Sequence, residues 1–296
     1  MENVLTLIGA PGVVLEDAVV TELRAALKGL GADVSMPDWL SPGRVADLRF
    51  GHLAPEQADA AARALLGAAK VDVVAQPAEG RRKLLLVADM DSTMVIGETL
   101  DELAEYAGIK DKIAAITARA MNGELVFEEA LRERIGLLDG LPESALAETW
   151  ERTELMPGAV ELVRTMKANG AYAVLVSGGF TFFTSRVREA CGFDVDLGNR
   201  FIFKKGKLAG VEDPILGRET KLSTLIGTAG ERQIPLSLAV AVGDGANDLD
   251  MIRAAGLGVA YHAKPVVAAE ARVRVDHGDL TALLYAQGYR DDEFVC

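Results

Sequence analysis

Apolar and polar positions recur along this chain with two different periods. VLTLIGA (4–10) is a short continuous apolar run and predicts a strand. LEDAVVTELRAALKGL (15–30) instead spaces its apolar residues as one helical face and stops at Gly31. PEQADAAARALLGAA (55–69) predicts a second helix and VDVVAQ (71–76) a closing strand, with the middle strands supplied from 33–50. The order over residues 1–78 is β-α-β-β-α-β, a small α+β sandwich. PAEGRR (77–82) reads as a linker. Beyond it the pattern changes. KLLLVA (83–88), AYAVLV (171–176), LSLAVAV (236–242) and GLGVAY (256–261) are apolar throughout and lie between helical patterns, as expected of a parallel sheet covered on both faces. Between the first two lie about 60 residues, 94–153, with almost purely helical signals, too long for an ordinary strand-to-helix connection. They predict an inserted helical cap. RFIFKKGKLAG (200–210) predicts a hairpin turning at Lys205-Gly206, and the tail RDDEFVC (290–296) predicts only exposure.

Length and composition agree with this division. At 296 residues the chain exceeds a single core, so about two or three modules are expected. The expected units are 1–78 and 79–296, the latter with a core of 83–93 and 154–296 and a cap of about 94–153. The net charge of −13 argues against a nucleic-acid partner, and any anionic ligand would need local positive charge. Cys191 and Cys296 form no CxxC pair, so neither a disulfide scaffold nor a zinc site is expected. No basic leader precedes the first apolar run, and no apolar stretch reaches membrane-spanning length. A cytoplasmic protein without a membrane span is the expectation.

The chemistry is concentrated where apolar strands end. KLLLVA runs into Asp89-Met90-Asp91-Ser92-Thr93, AYAVLV into Ser177-Gly178-Gly179, and LSLAVAV into Gly243-Asp244-Gly245-Ala246-Asn247-Asp248. Taken singly, each is an ordinary turn or helix cap. Together they would meet at the carboxyl edge of one parallel sheet, where ligands bind. An EF-hand beginning at Asp89 fails because Met94 and Leu100 stand where glycine and glutamate are needed. No phosphate-binding GxxxxGK[ST] loop occurs.

Phosphate-monoester hydrolysis would use these residue types together. Enhancements on the order of 10²¹ are required of such catalysts, and a carboxylate nucleophile divides the reaction into two easier steps. Nucleophile and phosphate are both anions; at 4 Å and an effective dielectric of 20 each pair of charges repels by about 4 kcal/mol. A hard cation such as Mg²⁺ relieves this, with Asp89 and Asp244 as carboxylate ligands. Asp91 can offer a backbone carbonyl while its side chain faces the leaving oxygen.

The series DxDST, SGG, a lone lysine and GDGxND resembles the haloacid dehalogenase superfamily over roughly 83–285, and within it the phosphoserine phosphatase branch. The resemblance implies a Rossmann-like α/β core with a helical cap, Mg²⁺ as cofactor and O-phosphoserine as substrate, as in the last step of serine biosynthesis. It implies Asp89 as nucleophile, Asp91 as acid then base, and Ser177, the Gly178 amide and Lys221 around the phosphoryl group. Asp89, Asp91 and Asp244 would hold the metal, Asp248 would support them, and Asn247 would contact substrate. Glu98 would meet the substrate ammonium and Arg134 its carboxylate, with Met121 and Phe127 closing the pocket. Each of these has a plain alternative: Glu98 as a helix-end charge, Lys221 and Arg134 as solvated helix residues, Met121 and Phe127 as core. Two other functions stay open, a phosphatase for a different small metabolite and an inactive amino-acid-binding regulator. Residues 1–78 resemble ferredoxin-like modules of the ACT type, which leaves an amino-acid effector and a homodimer contact both open.

Overall fold

The computed structural model describes residues 1–121 and 124–296, apart from the side chains of Ala118, Ala120 and Met121. Its first sheet is built from β1 (Asn3–Gly9), β2 (Asp33–Val34), β3 (Asp38–Ser41), β4 (Val45–Gly51) and β5 (Val71–Pro77). All neighbours are antiparallel, in the order β2-β4-β1-β5, with β3 also on β4. The middle strands expected in 33–50 are a broken edge, β2 then β3, followed by the full strand β4. Helices α1 (Asp17–Gly29) and α2 (Pro55–Leu66) cover one face, burying Leu5, Leu7, Leu48 and Phe50 against Leu23, Leu27, Ala58 and Ala62. The second helix stops three residues earlier than its apolar pattern, at Gly67, whose φ of 55° ends it. Successive strand residues point to opposite faces, so Ile8, Val45 and Val74 turn away from the helices and join the larger core beyond.

The second sheet contains β6 (Leu85–Ala88), β7 (Tyr172–Phe180), β8 (Val195–Asn199), β11 (Ala239–Gly243), β12 (Leu257–Tyr261) and β13 (Val273–Val275). Its order is β13-β12-β11-β6-β7-β8, parallel throughout. From β6 the chain adds β7 and β8 on one side, then returns to add β11 to β13 on the other, so the connections diverge above β6. Four strands follow the apolar runs, although Leu236–Leu238 form a 3₁₀ turn rather than sheet, because pairing with β6 begins only at Ala239. β8 and β13 escape the periodicity reading: one is a half-buried edge of mixed polarity, the other three residues long. Between the strands lie α7 (Ala159–Ala168), α8 (Thr181–Cys191), α9 (Arg218–Glu231), α10 (Leu249–Ala254) and α11 (Pro265–Glu270), with a hairpin of β9 (Phe201–Lys204) and β10 (Lys207–Val211), and α12 (Ala282–Ala286) follows β13. That hairpin turns at Lys205-Gly206, both with positive φ.

Helices α3 (Thr99–Tyr106), α4 (Lys110–Met121), α5 (Phe127–Leu137) and α6 (Ser144–Trp150) form the insertion after β6. The chain leaves and re-enters the core side by side: Val95 bridges Leu155 antiparallel, Ile96 N donates to Glu154 O at 2.9 Å, and Met156 N to Met94 O at 2.9 Å. A second tie joins the insertion to the hairpin, where Gly140 N meets Leu208 O and Leu208 N meets Leu141 O, both at 2.8 Å.

The stretch expected to be a linker is clamped. Arg81 pairs with buried Asp47 at 2.7 Å, and the Lys83 ammonium donates to Gly80 O and Ser237 O. Buried Asp72 of β5 accepts from the amides of Asp276, His277 and Gly278 at 2.8, 3.2 and 2.7 Å. The tail is largely exposed and yet anchored: Glu293 pairs with Arg82, and Val295 N donates to Thr165 Oγ1 at 2.8 Å. Among the described residues no helix is long and apolar enough to cross a membrane.

Candidate active site

The three polar clusters converge as expected of a parallel sheet. Asp89 continues β6, its amide donating to Val242 O at 3.0 Å; Ser177–Gly179 lie near the end of β7; Asp244 follows β11. They line a cavity of about 320 Å³ with Asp91, Glu98, Phe127, Arg134, Gly245 and Asn247. Of the residues singled out from sequence, Lys221 and Asp248 sit buried behind this wall, and the side chain of Met121 lies outside the described residues. Phe127, from the start of α5, closes directly over the core: a Cβ on Gly178 would stand 3.0 Å from the Phe127 ring.

Each carboxylate has a distinct setting. Asp89 Oδ1 receives the Lys221 ammonium at 2.8 Å and the Met90 amide at 2.8 Å, and Oδ2 has no protein donor among the described residues. Asp91 Oδ1 accepts from both the amide and the hydroxyl of Thr99, each at 2.8 Å, and Oδ2 accepts from Ser177 Oγ at 3.2 Å. Thr99 opens α3, so the root of the insertion itself grips Asp91. Burial, opposed by the Thr99 amide and reinforced by Asp89, lifts Asp91 to about 6. An acid in that range can hold and give up a proton near neutral pH, two residues from a carboxylate paired with Lys221.

Asp248 uses both oxygens: Oδ1 accepts from Lys221 at 2.6 Å and Oδ2 from the Gly245 amide at 2.9 Å. Only glycine at 243 permits this, since a Cβ there would lie 2.3 Å from the Asp248 carboxyl carbon. Carboxylate oxygens of Asp89, Asp244 and Asp248 all fall within 4.8 Å of one another. Burial first, then Asp89, raises Asp244, and the same two causes lift Asp248 to about 7. For Lys221 burial works against the charge, but Asp89 and Asp248 outweigh it and hold the ammonium above its ordinary value. Three acids share one buried cation, an oxygen-only donor set with surplus negative charge. That composition fits a hard divalent ion. Both Asp248 oxygens already accept a protein donor whereas Asp89 Oδ2 has none among the described residues, so Asp89 and Asp244 are the more open carboxylates.

On the insertion side, Glu98 is exposed at the cavity mouth, where its Oε1 accepts from Ser92 Oγ at 3.2 Å. The residue is open to solvent as a whole, but the cavity walls around its carboxyl shield it from water, and this desolvation, then Asp91, pushes it up to about 8 despite Lys264. Arg134 is half-buried, and its Nε donates weakly to Ala130 O at 3.3 Å, leaving the rest of the guanidinium toward the cavity it lines. Burial lowers Arg134, opposed by Asp101 and Glu98. Among the polar residues the sequence reading did not single out are Thr99 and Lys264, and Thr99 belongs to no motif of the sequence. Lys264, 3.5 Å from Asp244 Oδ2, follows β12 in a loop with no recognisable cluster.

The profile of haloacid dehalogenase-like hydrolases matches residues 86–253, more than half the chain. The chain belongs to this family. Phosphoserine phosphatases are among the proteins it resembles. A phosphoserine phosphatase of Haemophilus influenzae is 44% identical over 201 residues, which is 68% of this chain and 64% of that one; the chain thus spans less than two thirds of that relative's length. Among solved structures, a haloacid dehalogenase family hydrolase from Salmonella enterica serovar Typhi superposes with a TM-score of 0.85 at 27% identity, covering 97% of this chain and 99% of the other. A probable phosphoserine phosphatase from Vibrio cholerae, in unliganded form, gives 0.78 at 33% identity, covering 97% and 87%. Both structural matches extend over the first sheet as well as the family core.

Proposed function

We propose that this chain is a cytoplasmic, Mg²⁺-dependent phosphoserine phosphatase that releases L-serine and phosphate from O-phospho-L-serine, the closing step of serine biosynthesis. In this reading residues 79–296 are the catalytic unit, with 94–153 as its cap, and residues 1–78 an ACT-like module for an amino-acid effector or a homodimer contact. The observation that supports it most is the contrast between two neighbouring carboxyls. Asp89 is paired with the buried Lys221 ammonium at 2.8 Å, while Asp91 is held on Thr99 and Ser177 and raised to about 6.

The chemistry follows from those settings. Asp89 Oδ2 attacks phosphorus as the bond to the serine oxygen breaks, and Asp91 gives its proton to that oxygen, leaving an aspartyl-phosphate and free serine. Water then attacks phosphorus and returns a proton to Asp91, the bond to Asp89 breaks, and phosphate leaves. Lys221, the Ser177 hydroxyl and the Gly178 amide receive phosphoryl charge, with Asn247 beside them. Asp89, Asp244 and the Asp91 carbonyl would hold Mg²⁺, supported by Asp248; when bound it offsets the repulsion between nucleophile and phosphate. Glu98 faces the substrate ammonium and Arg134 its carboxylate, a planar pairing that lysine cannot reproduce. Phe127 closes the pocket and limits water.

The test is steady-state kinetics over a phosphomonoester panel, with Mg²⁺ and with chelator. Asp89→Asn should abolish turnover with the melting temperature retained. Arg134→Ala should erase the preference for phosphoserine over alkyl phosphates. An unchanged preference would favour a different metabolite, and no release from any monoester would refute the enzyme reading.

A further inference from the structure

The register of β7 and β8 contains an irregularity at the site. Val176 pairs with Leu197 and Phe180 with Asn199, so β7 advances four residues while β8 advances two. Residues 177–179 therefore bulge out of the ladder and lose their regular sheet partners. Asn199, the last residue of β8, supplies one from its side chain. It is 3% exposed and does not line the cavity. Its Nδ2 donates to Gly178 O at 2.8 Å and to Leu216 O at 3.3 Å, and its Oδ1 accepts from Leu216 N at 2.7 Å. Both donors and the acceptor of the side-chain amide are thus engaged.

The consequence runs through one peptide plane. Gly178 O and Gly179 N belong to the same planar unit, so fixing the carbonyl fixes the amide. Gly179 N donates to Ser177 Oγ at 2.8 Å, which occupies a lone pair of that hydroxyl and leaves its hydrogen for Asp91 Oδ2 at 3.2 Å. The other half of Asn199 grips Leu216, two residues before α9, the helix that brings Lys221 to Asp89. One buried side chain therefore spans the approach to the phosphoryl-binding loop and the approach to the charge-neutralising lysine.

We propose that Asn199 is a positioning residue for phosphoryl recognition, holding the 178–179 peptide, and through it the Ser177 hydroxyl, in register with Asp91. The proposal rests on the function assigned above. Asn199→Asp keeps an acceptor for Leu216 N but turns an oxygen toward Gly178 O in place of the donor; Asn199→Leu removes every bond. Thr184→Ala serves as a control, since buried Thr184 bonds Asp196 of β8 at 2.6 Å and loosens the same edge without touching the 178–179 peptide.

The experiment combines kinetics, melting curves and calorimetric titration with inorganic phosphate. Both Asn199 variants should lose about 100-fold in kcat/KM and about tenfold in phosphate affinity, the scale expected when binding groups shift by about an ångström. Asn199→Asp should lose phosphate affinity out of proportion to its fall in melting temperature, whereas Thr184→Ala should melt lower and keep phosphate affinity. Asn199→Asp that binds phosphate and turns over like the parent overturns the proposal. Activity falling in step with melting temperature across all three variants also overturns it, because Asn199 would then serve the fold alone. Failure of the parent protein to hydrolyse any monoester is a separate result and refutes the function, since phosphate binding reads the positioning role without turnover.

Discussion

Replacing Lys221 by methionine changes little in volume and removes the one buried cation of the cluster. In the native arrangement that ammonium lies 2.8 Å from Asp89 and 2.6 Å from Asp248, with all three side chains almost wholly buried. Without it Asp248 retains only the Gly245 amide and Asp89 only the Met90 amide, while Asp244 keeps a half-exposed Lys264 at 3.5 Å. Breaking a buried pair by deleting one partner costs about 3–5 kcal/mol, which for a chain of this size lowers the melting temperature by about 5–8 °C. The assay is a melting curve at pH 8 with chelator present. Three further outcomes follow from the same cause: the deficit should shrink at pH 5, where Asp248 can protonate; it should shrink with added Mg²⁺; and Lys221→Met/Asp248→Asn should recover most of it. A Lys221→Met protein melting within about 1 °C of the parent, or a double variant no better than the single, would refute the view that Lys221 compensates these acids.

The pH dependence of the metal-free protein should run opposite to that of most proteins. Asp91, Asp248 and Glu98 are raised to about 6, 7 and 8, above their ordinary values near 4, so between pH 4 and 8 the folded state binds more protons than the unfolded. Stability then falls as pH rises through that window, and Mg²⁺ should flatten the slope; melting temperatures rising from pH 5 to pH 8 in chelator would contradict it. Asp72→Ala leaves three backbone amides without their buried acceptor and should cost about 2–4 kcal/mol, with earlier proteolytic cleavage near 77–82, read by melting and by limited digestion. Gly243→Ala should misplace Asp248, because the added methyl would overlap its carboxyl group, and so weaken Mg²⁺ binding by calorimetry at least tenfold, on the order of one lost orienting contact.

The sequence by itself determined the elements whose signal is local. Continuous apolar runs announced four parallel strands because a strand buried on both faces has no polar side to show, and the stretch from 94 to 153 announced its helices by spacing alone. It also named most residues of the cavity, since each polar cluster follows a strand and parallel strands share one carboxyl edge. Tertiary structure decided what depends on partners distant in the chain. β8 and β13 exist only through pairing, being too mixed or too short to declare themselves. The linker and tail became clamps because Asp47 and Arg82 wait on other elements. The contrast between Asp89 and Asp91, two residues apart, was likewise invisible in the sequence. It arises from Lys221 on one side and Thr99 with Ser177 on the other, and a carboxyl's partners are set by what surrounds it in space rather than by its neighbours in the chain.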